Sequence, residues 1–352
     1  METGFSLYFG TGKEKNMEIL EKAIESKMKY AFTSLHIPEE TSLDYQKDVN
    51  YYLKKCREAG IKLIADISPL TLKKLNCKNY SDLAKLGFEW IRLDFGFSAA
   101  EIAALSTVFK LVFNASTVTD HEIYVWKKAG VTLSSLIACH NFYPKPLTGL
   151  SLEKMADINR RLKSHGLETM AFVPGDLVFR GPLFNGLPTV EGHRAKPTLL
   201  GILELVYDAK TDIVLVGDID LESKTWEQIK NLNEGFIALN SVIDQDYKER
   251  IGNIIHHDRP DSSDYVIRSQ ESRLRTAGFD QKVPIAASSL SRPKGSIFIS
   301  NQAYLRYEGE LEIARIDLPK EDKVNVIGHV ADDFLCYLPY IVDGFGFKLL
   351  TD

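Results

Sequence analysis

Residues 30–67 read YAFTSLHIPEETSLDYQKDVNYYLKKCREAGIKLIADI, and they carry the fold in miniature. Tyr30–Ser34 is a short apolar run. YQKDVNYYLKKCREAG comes next, with apolar residues near helical spacing and Gly60 placed to end it, and Lys62–Ile67 is a second apolar run. Strand, amphipathic helix, strand is the βα unit from which parallel sheets are built. Working outward, the unit recurs: Phe5–Phe9 precedes it, and Trp90–Leu93, Leu111–Asn114, Leu136–His140, Glu168–Val173 and Asp212–Val216 succeed it. Eight such runs with helical stretches between them predict an α/β fold, a closed (β/α)8 TIM barrel. An open, doubly wound sheet is the alternative, but it would carry GxGxxG or GxxxxGK[ST] near its first strand, and neither occurs. GTGKEKN after the first run matches no nucleotide-loop spacing, so ordinary loop chemistry is the better account and no cofactor is expected.

Near Leu232–Ser241 the rhythm changes. The remainder of the chain is a series of short β-type runs, YVIRS, GSIFIS, YEGELEIARI, KVNVIGHV and FGFKLL, punctuated by turn formers. The expectation is two domains, a barrel over 1–235 and a smaller β-rich barrel or sandwich over 236–352. A chain of 352 residues is long enough for both. With 44% hydrophobic and 26% charged residues and a mean hydropathy of -0.14, it can bury a full core and stay dissolved.

The net charge of -5 offers no field to attract polyanions, so nucleic acid and anionic membrane are not expected partners. Any anionic ligand must be held locally. Four scattered cysteines form neither a CxxC pair nor a disulfide framework, which suits a reducing compartment. The opening METGFSLYFGTGKEKN lacks the basic segment and apolar run of a signal peptide, and no stretch approaches a membrane span. A cytoplasmic location is expected. His256-His257-Asp258 has the residue types of a metal site, but adjacent histidines in a strand point to opposite faces, so no metal is expected there.

In such a barrel the reacting groups project from the C-terminal ends of the strands. Those ends read Ser6 and Tyr8, Thr33 and Ser34, Asp66, Arg92 and Asp94, Asn114 and Ser116, His140 and Asn141, and Gly217-Asp218. Polar groups at nearly every mouth position indicate a polar pocket. Individually each has a plainer reading. Asp66 and Asp218 are either reactive carboxylates or caps of the helices after them. Arg92 and Asp94 share one face of a strand, and either line the mouth as a pair or form a buried ion pair between strands. Asn114 and Ser116 either bind sugar hydroxyls or form a turn. His140 is either an active group or simply hydrogen-bonded into its surroundings, with Asn141, Phe142 and Tyr143 beside it as a wall suited to a sugar ring.

The densest stretch is PGDLVFRGPLFNGLPTVEGHR, Pro174–Arg194, after the seventh run. A loop this long in a compact domain is usually functional. Arg180 and Arg194 are fork-shaped donors for phosphate or carboxylate, and phosphate sites often form near strands seven and eight. The alternative is a surface loop pinned by prolines and salt bridges. Glu191 adds a carboxylate, and glycoside cleavage uses a pair of them.

FSLYF, AFTSL, ADISP, IRLDFG, FNAST, HNFYPKPLTGLS, RGPLFNGLPTVEGHR and VLVGD, in that order, closely resemble the MupG-type 6-phospho-N-acetylmuramidases. The likeness continues through HHDRPDSSDYVIRSQESR, NQAYLRYEGELEIA and KVNVIGHV, which look like that family's cyclophilin-like C-terminal domain. A prolyl isomerase activity does not follow, because a fold does not carry function without its site. The resemblance implies hydrolysis of the β-1,4 bond in N-acetylmuramic acid 6-phosphate–N-acetylglucosamine during peptidoglycan recycling. That substrate carries a phosphate and a lactyl carboxylate, for which Arg92, Arg180, His193 and Arg194 are suitable donors. Asp94, Glu191, Asp66 and Asp218 form the catalytic shortlist by location, with the substrate's acetamido group as an alternative nucleophile. Ser6, Tyr8, Ser34, Asn114, His140 and Asn141 complete the expected substrate-binding set. The rival functions are a phosphosugar-binding protein without hydrolysis and a barrel isomerase or aldolase, though no strand end carries a convincing Schiff-base lysine or metal cluster.

Overall fold

A computed structural model describes residues 1–35, 45–67, 69–93, 97–273, 282–286 and 290–351. Eight parallel strands close into a barrel in chain order: β1 (Glu2–Ser6), β2 (Tyr30–Ser34), β3 (Lys62–Ile67), β4 (Trp90–Leu93), β5 (Lys110–Asn114), β6 (Ile137–Cys139), β7 (Glu168–Val173) and β8 (Ile213–Val216). The closing seam pairs Glu2 with Ile213 and Gly4 with Leu215. The βα reading of the first two thirds is therefore the observed one.

The first strand lies three residues earlier than its apolar run suggested. A Cβ at Gly4 would stand 2.4 Å from the Tyr30 carbonyl oxygen and 2.5 Å from Leu215 Cδ2, so glycine is required where three strands crowd together. ETGFS thus hides a strand behind residues of weak β preference. Phe9, counted as the end of that strand, instead starts a short 3-10 turn and stacks on Tyr52 at 5.3 Å.

The helices between strands begin where the sequence supplies caps. Ser98 with Glu101 and Thr119 with Glu122 form capping boxes ahead of Ala99–Ser106 and Asp120–Lys128. Gly60, as expected, ends the helix Tyr45–Glu58 in the left-handed region, at φ 70°.

The barrel interior is filled rather than open. Tyr30, Phe32, Ile64, Val112, Ile137, Cys139, Met170, Phe172, Ile213 and Leu215 form one buried cluster, with Trp90 and Phe142 packed against it. Phe172 meets Phe32 and Phe142 edge-on at 5.2 and 5.1 Å. Each buried aromatic of this kind contributes about 1.5–3 kcal/mol. Together they form the floor on which the mouth stands.

A second compact unit runs over Glu234–Asp352, after a first of Met1–Asn233. Its strands are β9 (Phe236–Ile243), β10 (Ile255–His257), β11 (Val266–Arg268), β12 (Ser296–Ser300), β13 (Leu311–Ala314), β14 (Val324–Val330) and β15 (Gly346–Leu350). They form one sheet in the order β10-β15-β9-β14-β12-β13-β11, and the two edge strands meet beyond their ends at the single bridge Asp258–Ser269. The five runs read from sequence are all strands. Two more were missed. β9 changes partners midway, pairing with β15 up to Asn240 and with β14 from Ser241, so its burial does not alternate cleanly. β10 spans only three residues. His256 and His257 do point oppositely: His256 is buried between Ser269 Oγ and the Ile251 carbonyl, while exposed His257 pairs with Glu271 at 2.8 Å.

Candidate active site

Alternation along β2–β5 decides what faces the mouth. Phe32, Ile64, Trp90 and Val112 belong to the interior cluster, so two residues further on Ser34, Asp66, Arg92 and Asn114 form the polar layer above it. Asp66 stands in register with Ser34 on one side and with Arg92 on the other. Arg92 Nη1 donates to Asp66 Oδ1 at 3.0 Å, and Arg92 Nη2 donates to Asn141 Oδ1. Asp66 and Arg92 are only 7% and 6% exposed, so the pair is largely stripped of water. One partner of Arg92 in this structure is thus a carboxylate on the neighbouring strand. The pairing with Asp94 expected from their shared strand face cannot be followed, because Asp94 lies outside the described residues.

Beside this chain of charges is a cavity of about 90 Å³, lined by Phe32, Asp66, Arg92, His140, Asn141, Phe142 and Phe172. Thr189 holds one wall in place. Its hydroxyl donates to the Asn141 carbonyl at 2.9 Å and accepts from the Phe172 amide at 3.0 Å. GLPT was prominent in the sequence for its pattern, but nothing local revealed this bracing role of its threonine.

On the strand next to β2, Ser6 Oγ donates to the Val216 carbonyl at 2.8 Å, and beyond it Tyr8 Oη donates to the Gly217 carbonyl at 2.6 Å. Both hydroxyls tie β1 to the end of β8. Burial pushes the Tyr8 phenol up to about 12, so it is a neutral donor at physiological pH. The Arg180 guanidinium lies over the Tyr8 ring, 4.2 Å from its centroid, and 5.9 Å from that of Phe142. Among the described residues Arg180 makes no ion pair. It is a cation held against an aromatic wall with donor capacity to spare, which is what a local anion site requires.

Asp218 carries the loop that presents Arg180. Its carboxylate accepts from the amides of Gly175, Arg180 and Leu187, each at 2.9 Å, and it is 1% exposed. Burial raises its pKa, and the three amide bonds oppose that rise. Gly175 is required here because a Cβ would lie 2.9 Å from Asp218 Cβ and from the Asp220 carbonyl oxygen. The helix-cap alternative for Asp218 is thus replaced by a different anchoring role.

Glu191 and Arg194 form a clasp. Arg194 uses Nε and Nη2 on the two oxygens of Glu191 at 2.7 and 2.9 Å, Nη1 on the carbonyls of Asn185 and Gly186, and Nη2 also on that of Tyr143. Glu191 in turn accepts from the amides of Leu147 and Gly149 at 2.9 Å. All five guanidinium donors are engaged, and Arg194 with those amides holds the Glu191 carboxyl down at about 2. The result fastens the loop after β6 to the loop after β7, reinforced by the parallel bridge Leu150–Val190.

His193 and His140 are both buried. His193 bonds Glu204 at 2.9 Å, which Lys196 also grips at 2.6 and 2.8 Å. His140 Nε2 meets Asn159 Oδ1 at 2.8 Å, while the Asn159 amide donates to Ala209 O and Thr211 Oγ1. Asn159 can only accept from the ring, so Nε2 carries the proton, and burial drives the His140 pKa down to about 4. Asn159 was not foreseen; its signal was a polar residue on the buried face of the helix Leu152–Ser164. Asn114 Oδ1 accepts from the Ser116 amide at 3.0 Å, the turn geometry that was its plainer reading. The structure therefore gathers Asp66, Arg92 and Asn141 around the cavity, with Ser34 in register beside Asp66, and places Ser6, Tyr8, Arg180 and Asp218 at the adjoining β1–β8 seam.

The fold and this polar rim define a (β/α)8-barrel protein with a candidate site at the strand C-termini and a separate β-rich unit. Residues 3–231 match the N-terminal model, and residues 236–350 the C-terminal model, of the 6-phospho-N-acetylmuramidases. The chain belongs to that family, whose name is that of a glycosidase acting on a phosphorylated sugar. It is also similar to the crystal structure of a conserved Enterococcus faecalis protein of unknown function, at 31% identity and TM-score 0.80, covering 100% of this chain and 97% of that one. An uncharacterized B. cereus protein of known structure is similar at 26% identity and TM-score 0.75, with 99% of each chain covered. No curated protein matches the chain. No helix among the described residues is long and apolar enough to cross a membrane.

Proposed function

We propose that the protein is a cytoplasmic glycoside hydrolase that cleaves the β-1,4 bond of N-acetylmuramic acid 6-phosphate–N-acetylglucosamine in peptidoglycan recycling. The observation that carries the reading is family membership over both halves of the chain. Within the site, Arg180 is the group we assign to the substrate phosphate, because among the described residues it is the mouth arginine whose guanidinium is not consumed by ion pairs.

The four shortlisted carboxylates then divide by what they already hold. Asp218 is committed to three amides and Glu191 to two amides and a bidentate arginine, which makes them supports of the loop carrying Arg180. Asp66 lines the cavity at the mouth, and Asp94 comes two positions after Arg92 at the end of β4. We assign catalysis to Asp66 and Asp94. Asp66, paired with Arg92 at the cavity, is placed to face positive charge developing at the anomeric carbon, and we assign to Asp94 the proton donation to the leaving oxygen.

The test is to incubate the purified protein with the 6-phosphorylated disaccharide and resolve the products. Two monosaccharides, one retaining the phosphate, are expected. Tight binding with the disaccharide intact would establish the phosphosugar-binding alternative instead.

A further inference from the structure

The cavity between Asn141 and the three phenylalanines has a chemistry distinct from the arginine that we assign to phosphate. Its two charged walls are already paired, Arg92 with Asp66 at 3.0 Å, so it offers no net positive charge to an anion, and Asp66 would repel one. Because Arg92 can only donate, the Asn141 oxygen must face it, and the Asn141 amide nitrogen is turned away with both hydrogens unpartnered among the described residues. The Asn141 backbone is fixed by Thr189, so this donor is preorganised. Phe32, Phe142 and Phe172, in contact edge to face, line the same cavity. On the same measure a single water needs roughly 10–15 Å³, so about 90 Å³ admits a group of several heavy atoms.

We infer that this cavity receives the acetamido group of the substrate's amino sugar, with its carbonyl accepting from Asn141 Nδ2 and its methyl against the phenylalanines. A lactyl carboxylate or a phosphate fits neither the paired charges nor the aromatic wall. A sugar hydroxyl is too small to reach both the donor and the rings. Asn141 is then the residue that makes the site select N-acetylated sugars. The inference rests on the phosphosugar reading of the site but not on hydrolysis.

Binding separates the two claims. Calorimetry with N-acetylglucosamine 6-phosphate and glucose 6-phosphate compares ligands that differ only at the second carbon. The intact protein is expected to favour the acetylated sugar by about tenfold or more, the effect of one satisfied against one unpaired buried polar group. Asn141→Asp keeps the shape and an acceptor for Arg92 but removes the donor; the preference should shrink to within about threefold while glucose 6-phosphate binding is retained. Asn141→Ala serves as the second variant, with the same loss of preference expected. Equal affinities in the unaltered protein, binding of neither sugar, or equal weakening of both ligands by Asn141→Asp would overturn the acetamido assignment. If the disaccharide is nevertheless cleaved, the proposed hydrolysis stands without it; if the preference is found and nothing is cleaved, the acetamido pocket stands and hydrolysis falls.

Discussion

Arg92 on β4 and Asp66 on β3 face each other in strict register, and the guanidinium reaches across to the carboxylate at 3.0 Å and onward to Asn141. The pair couples two strands of the barrel to the loop after β6. Taking away one member leaves the other charged and buried, which costs about 3–5 kcal/mol. Asp66→Ala should therefore unfold at markedly lower denaturant concentration than the unaltered protein, whereas Asp66→Ala combined with Arg92→Met should recover much of the loss. A double variant no more stable than the single one would show that the pair is not the source of the effect.

Arg180 lies on the Tyr8 ring and makes no ion pair among the described residues. Arg180→Ala is expected to weaken binding of a 6-phosphosugar by about tenfold to a hundredfold, in the range of a lost charge-assisted bond, and to leave the unphosphorylated sugar nearly unchanged. Parallel titrations of the two sugars measure this. Equal losses would mean that Arg180 does not read phosphate.

Glu191 makes the clasp sensitive to acid. Its carboxyl is held near 2 against an ordinary 4.5, chiefly by Arg194, so the folded state binds its proton later than the unfolded state does. The stabilisation is fully present above about pH 4.5 and is lost as pH falls from there towards 2. Partial exposure discounts it to about 2 kcal/mol. Urea unfolding at stepped pH should show this acid loss, and Glu191→Gln should flatten that part of the profile while lowering stability at pH 7. An unchanged profile in the variant would place the acid sensitivity elsewhere.

His140 responds in a higher window. Burial lowers it from 6.5 to about 4, so between those values the unfolded chain takes up a proton that the folded protein refuses, and stability falls as pH drops through the window. Nitrogen NMR of the ring should report a neutral imidazole protonated at Nε2 throughout pH 5–8. Titration of this ring near 6.5 would contradict the assignment.

Much of this molecule was legible along the chain. The alternation of short apolar runs with amphipathic helices determines a βα barrel, because strand and helix periods are local properties, and the polar residues at strand ends marked the rim for the same reason. Where local preference was overruled, the reading slipped. β1 is hidden because Gly4 serves three strands at once, and β9 because it changes partners midway. Partnership was the part that only the tertiary structure decided. Arg92 and Asp66 are 26 residues apart and meet through strand register, while Glu191 and Arg194, three residues apart in a motif rich in apparent ligands, spend their hydrogen bonds on each other and on distant backbone. A charged residue's type is written in the sequence, but whether its charge is already satisfied depends on what the fold brings within about 3 Å of it, and that separated Arg180 from Arg194.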